Sequence, residues 1–100
     1  MTVERIETGR RYGSSEPVAI RVVRRGMKVT IDDDGAAVRL AERPAGWLER
    51  AERIVAAAGV NVNRRGVVSV PAVGQARTDR LVALVAATSL EVYDALLDER

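Results

Sequence analysis

Apolar and polar residues alternate in two neighbouring stretches of this chain. Val18, Ile20 and Val22 alternate with Ala19, Arg21 and Val23; Met27, Val29 and Ile31 alternate with Lys28, Thr30 and Asp32. A period of two belongs to a strand with one buried face. The spacing therefore predicts a hairpin that turns at Arg24-Arg25-Gly26, where the glycine supplies positive φ. Pro17 suits the start of the first strand, where a missing N–H is tolerated. The second strand runs into Asp32-Asp33-Asp34-Gly35, and Ala36 to Glu42 then follows a short helical pattern carrying Val38 and Leu40. Arg43-Pro44 breaks it.

From Ala45 the period changes to that of a longer helix. Trp47, Leu48, Ala51, Ile54, Val55 and Ala58 form one apolar stripe, with Glu49 and Arg53 as an i,i+4 pair on the wet face and Gly59 as the C-cap. Val60-Asn61-Val62 and Val67-Val68-Ser69-Val70 predict a second hairpin about Asn63-Arg64-Arg65-Gly66, stopped by Pro71. Val73 to Gln75 reads as loop, and Ala76 or Arg77 to Leu97 as the longest helix. The expected fold class is α+β, in the order β-β-α-α-β-β-α, with two hairpins in a mainly antiparallel sheet and helices on one face. Residues 1–16, interrupted by Gly9, Gly13, Ser14 and Ser15, read as an N-terminal arm or irregular segment, in which Val3 and Ile6 suit either a strand or a turn of helix, before a single domain at 17–100. The expected core is Ile20, Val22, Val29, Ile31, Leu40, Trp47, Leu48, Ile54, Val55, Val68, Val70, Val85, Val92 and Leu96.

The last helix is apolar over more than one side. Leu81, Val85, Val92 and Leu96 define a stripe, and Val82, Ala86, Leu90, Tyr93 and Leu97 widen it to an arc of roughly 200°. A helix resting on one sheet needs about half of that. If the helix at 45–58 spends its single stripe on the sheet, and the arm is too polar to help, a second copy covers the surplus. The expectation is a symmetric homodimer through Val82, Ala86, Leu90, Tyr93 and Leu97.

Composition narrows the chemistry. Neither Cys nor His occurs among the 100 residues. That excludes disulfides, thiol nucleophiles, zinc sites of the usual ligands and histidine acid–base catalysis. Ser69 and Ser89 have no histidine to activate them, and Lys28 is the only lysine. With only Tyr12, Trp47 and Tyr93 aromatic, Val, Leu, Ile and Ala must build the core. No apolar run reaches the roughly 18 residues that span a bilayer, and Met1 to Ile6 carries no secretion-type apolar region, so a cytoplasmic protein without a membrane partner is expected. The net charge is +2, and its basic excess falls in residues 1–28, with seven basic to three acidic side chains. The preference for Arg over Lys, with abundant Ala and Val, resembles the usage of a GC-rich genome.

Two polar features remain. Alternation places Asp32 and Asp34 on one side of the chain and Asp33 on the other. Asp33 or Asp34 is expected to cap the following helix. Two carboxylates on one side also suit a hard cation, but consecutive residues cannot wrap one, so neither a metal nor another cofactor is expected. Arg24-Arg25 and Arg64-Arg65 tip the two hairpins, and such guanidinium pairs suit phosphate or carboxylate partners. The strands lack stacking aromatics for single-stranded nucleic acid. The leading expectation is a non-enzymatic protein-interaction domain that self-associates. The alternative is a weak, sequence-tolerant nucleic-acid binder that uses Arg24, Arg25, Arg64 and Arg65. Third comes a metal-dependent enzyme acting through Asp32, Asp33 and Asp34, with no catalytic residue otherwise assigned.

Residues 18–70 resemble a bacterial domain of unknown function found in small stand-alone and phage-associated proteins. Its pattern is a hairpin, a Thr-Asp-Asp-Gly motif, a short helix, a longer helix and a strand. Here the motif is Thr30-Ile31-Asp32-Asp33-Asp34-Gly35, in which Ile31 and one further Asp interrupt it. Gly46-Trp47 and Asn61-Val62-Asn63-Arg64-Arg65-Gly66 are similar to a group of actinobacterial hypothetical proteins. The resemblance covers about two-thirds of the chain and implies a fold class, with no activity attached.

Overall fold

The computed structural model describes residues 1–73 and 77–98. In chain order the elements are β1 (Thr2–Arg11), β2 (Pro17–Arg25), β3 (Lys28–Asp32), α1 (Ala36–Leu40), α2 (Trp47–Ala58), β4 (Asn61–Val62), β5 (Val68–Ala72) and α3 (Thr78–Asp98). All strand pairs are antiparallel, in one five-stranded sheet of order β1-β2-β3-β5-β4. This is the α+β architecture expected from the two periodicities. Residues 74–76, which hold part of the expected loop and the expected first residue of the last helix, lie outside the described residues.

The segment expected to be an irregular arm is a strand. β1 pairs with β2 from Thr2↔Arg24 to Glu7↔Ala19, and the register then shifts before Arg11↔Pro17. Its sequence hides this because an edge strand has little to bury: only Ile6 and Thr8 are even half-buried. Pro71 does not stop β5 but sits inside it, opposite Thr30. No membrane-crossing helix, long and apolar enough to span a bilayer, occurs among the described residues.

The helices cover one face of the sheet. α3 lies on β2, β3 and β5, while α2 packs on α3 and on the short β4, and α1 also packs on α3. This corrects the expected dimer surface. α2 spends its stripe mainly on α3, meeting the sheet at its short edge strand β4, so Val82, Ala86 and Tyr93 are buried within the chain. Leu90 and Leu97 are half-buried against the same core. The arm that looked too polar supplies Tyr12, only 2% exposed, whose ring centre lies 5.3 Å from that of Tyr93 at an interplanar angle of 58°.

Of the expected core, Ile20, Val22, Ile31, Val55, Val68, Val85, Val92 and Leu96 are buried. Val29, Leu40, Trp47, Leu48, Ile54 and Val70 are half-buried. Trp47 stays at the rim, with the Arg43 guanidinium 5.3 Å from its ring centre, a cation–π arrangement. α2 ends in a Schellman pattern: Gly59 N–H donates to Ala56 O and Val60 N–H to Val55 O. Val60 tucks into the core behind it.

Candidate functional site

The three consecutive carboxylates do not converge. Asp33 and Asp34 begin a turn closed by Ala36 N–H donating to Asp33 O at 3.1 Å. Both central residues, Asp34 and Gly35, have positive φ, 57° and 74°, which is the type I′ pattern that Asp-Gly favours. The turn drives Asp33 inward and leaves Asp34 outside.

Asp33 is wholly buried and surrounded by donors. Its Oδ1 accepts Gly35 N–H at 2.8 Å and Val68 N–H at 2.9 Å. Its Oδ2 accepts Ser89 Oγ–H at 2.7 Å and Ala37 N–H at 3.4 Å. Tyr12 OH lies 2.7 Å from Ser89 Oγ; since the serine proton goes to Asp33, the tyrosine donates. Burial pushes the Asp33 carboxyl above its ordinary value, and the donors from Ser89, Val68, Gly35 and Ala37 pull it back. The relay Tyr12–Ser89–Asp33 superficially looks like an activated serine. With Ser89 and Asp33 both fully enclosed, no substrate reaches it, and every lone pair is matched to a donor. Its work is structural: it ties the β1–β2 connection, α3, β5 and the start of α1 to one carboxylate.

Asp32 faces the opposite way. Arg21 Nε donates to its Oδ1 at 2.8 Å and Arg21 Nη2 to its Oδ2 at 3.0 Å, a two-pronged pair. Asp34 N–H adds a third donor at 2.9 Å, and Asp34 Oδ1 lies 3.5 Å from Arg21 Nη1. Asp32 and Asp34 thus share the side that alternation assigned to them, with a guanidinium between them. No group of three or more acidic residues that could hold a metal ion occurs among the described residues. Asp32 and Asp33 are each surrounded by N–H and O–H donors, the opposite of what a cation requires.

The two arginine pairs do not share a surface. β3 runs from Lys28, opposite Arg25 at the end of β2, to Asp32, beside the turn that holds Arg64 and Arg65. The pairs therefore sit at opposite ends of the sheet. Arg24 meets Glu4 at 3.5 Å, and Arg65 O accepts Arg43 Nη2 at 2.7 Å.

The sheet face away from the helices carries a surface that the sequence did not single out. Met1, Val3, Arg21, Val23, Arg25, Lys28, Thr30 and Asp32 line a groove of about 350 Å³. A second groove of about 440 Å³ adjoins it, lined by Met27, Lys28, Val29, Thr30, Pro71, Ala72 and Val73. Lys28 and Thr30 belong to both. The large exposed apolar side chains among the described residues, Met1, Val3, Met27 and Val73, all fall on these two grooves, with Met27 fully exposed. The alternation assigns Met27 to the apolar face of the second strand and the turn to Arg24-Arg25-Gly26; the structure instead turns at Gly26-Met27, with β2 reaching Arg25. Compared with known proteins, the chain matches no family model, and no curated protein or solved structure matches it significantly.

Proposed function

We propose that this chain is a non-catalytic, cytoplasmic interaction domain that grips an acidic, apolar segment of a partner protein in the paired grooves at the Lys28 end of its sheet. The observation that supports this reading is the gathering of Met1, Val3, Met27 and Val73 around two cationic side chains, Arg25 and Lys28. An exposed apolar cluster with a charged rim is what an interaction surface requires. The lone lining carboxylate, Asp32, is already held by Arg21, so the net field at the grooves favours an anionic partner. The enclosed Tyr12–Ser89–Asp33 relay and the divergent carboxylates supply no catalytic constellation.

A fluorescein-labelled peptide of alternating Glu and Leu tests the reading. Saturable binding is expected, weakened at least about tenfold by Met27→Asp or Lys28→Glu. Both positions are exposed, so neither change disturbs the core. Binding unaffected by either variant would refute the site. Tighter binding of a single-stranded oligonucleotide, falling steeply with salt, would instead select the nucleic-acid reading.

A further inference from the structure

We infer that two copies of this chain join edge to edge through β1, in the single register that places Ile6 against Ile6 of the mate. β1 is a ten-residue strand at the margin of the sheet, paired with β2 on one side only. Long exposed edges are ordinarily blunted by charged side chains, by Pro, by bulges or by covering elements. Here the exposed charges, Glu4, Arg5, Glu7, Arg10 and Arg11, are of both signs, so charges that keep out other edges can match a copy in the right register. Glu4 meets Arg24, whereas Arg5 and Glu7 join no ion pair among the described residues. Inside the chain Arg5 sits opposite Arg21, a like charge already engaged by Asp32 and Asp34.

Charge selects the register. A two-fold axis normal to the sheet keeps corresponding faces together, so residues that oppose one another across it must lie on the same face. The axis then passes through a single residue. Centred on Glu4, Arg5 or Glu7, it sets that charge against its own copy, and centred on Thr8 it sets Arg5 against Arg11, both destabilising; centred on Thr2 or Val3 it brings no opposite charges together. Centred on Ile6, it sets Arg5 against Glu7 of the mate twice and Glu4 against Thr8 twice. The half-buried Ile6 side chains meet on the helix side of the sheet. All of this lies before Gly9, whose φ of 77° marks the irregular part of the strand. The joined sheets keep their grooved faces on the same side, which makes the pair bivalent toward the partner proposed above, although the pairing does not depend on that partner.

Sedimentation equilibrium at tens of micromolar tests the pairing. The expected mass is twice the 10.8 kDa of one chain. Arg5→Glu and Glu7→Arg should each weaken association by at least about tenfold, and the double variant should restore it, because each reversed charge again faces its opposite. Both side chains are exposed; should one variant fail to fold, the other reads the same contact. A monomer mass for the unaltered chain overturns the inference, and so does a dimer indifferent to both reversals. The Glu–Leu peptide titrated against the Glu7→Arg variant keeps the two proposals separate, since Glu7 lines neither groove and the change does not weaken their cationic field.

Discussion

Ser89 Oγ donates to Asp33 Oδ2 at 2.7 Å, joining the last helix to the end of β3 across 56 positions. Removing the carboxylate would strand the Ser89 hydroxyl and the N–H groups of Gly35 and Val68 in an enclosed site, each unmatched donor costing about 1–3 kcal/mol. Asp33→Ala is therefore expected to cost at least about 3 kcal/mol, more than an exposed cap. Asp33→Asn keeps an oxygen for Gly35 and Val68 and should lose distinctly less. Urea unfolding of the two variants checks the order.

Tyr12 predicts an alkaline limit. Burial, aided by the Asp33 charge, pushes its phenol up to about 12 from 10. Below pH 10 the group is neutral folded and unfolded, and its contribution is complete. Between pH 10 and 12 the unfolded chain loses the proton first, so stability falls as pH rises, by about 3 kcal/mol in all. Tyr12→Phe should remove that part of the slope. Chemical denaturation at a series of alkaline pH values measures it.

Gly66 admits no side chain. Its φ is +84°, and an added Cβ would lie 2.8 Å from Val38 Cβ and 2.9 Å from Val38 Cγ1. Val38 is fully enclosed and cannot retreat. Gly66→Ala should cost about 2–4 kcal/mol, the sum of overpacking and left-handed strain. Thermal unfolding checks this.

Tyr93 separates packing within the chain from packing between chains. As a buried partner of Tyr12, its replacement by Ser should cost about 3 kcal/mol or more and lower the unfolding midpoint. The sedimentation mass of the folded variant should not change. A variant of full stability and altered mass would place Tyr93 at an interface after all.

The alternation of Val18, Ile20, Val22, Val29 and Ile31 was readable because those strands bury one face and leave the other wet. β1 was not readable: its charges point to solvent at the sheet margin, and pairing by backbone leaves no mark on side-chain pattern. The wide apolar arc of α3 shows in the sequence as a surplus to be covered. The covering elements, α2 and Tyr12, could be identified only in three dimensions. Asp33 stood out as the end of a strand and the start of a helix, but its burial depends on Val68 and Ser89, remote in sequence and unremarkable alone. Met27 reads in the sequence as the first apolar residue of a strand and Val3 as part of a polar arm; only the turn at Gly26-Met27 and the sheet register bring them together, exposed, at one end.

The arrangement around Asp33 also predicts an order of events during folding. β1, β2 and β3 are successive antiparallel neighbours and can zip up from nearby contacts, which form fast. β5 and α3 come from the far half of the chain, and until both have docked the carboxylate has only its own turn for company and stays with water. Val68 and Ser89 then arrive together with the closure of the core. A chain lacking α3 would leave an ionised group uncovered at the end of β3, so the half-built domain has no resting state. The aspartate acts as a completion signal, rewarding only the whole assembly.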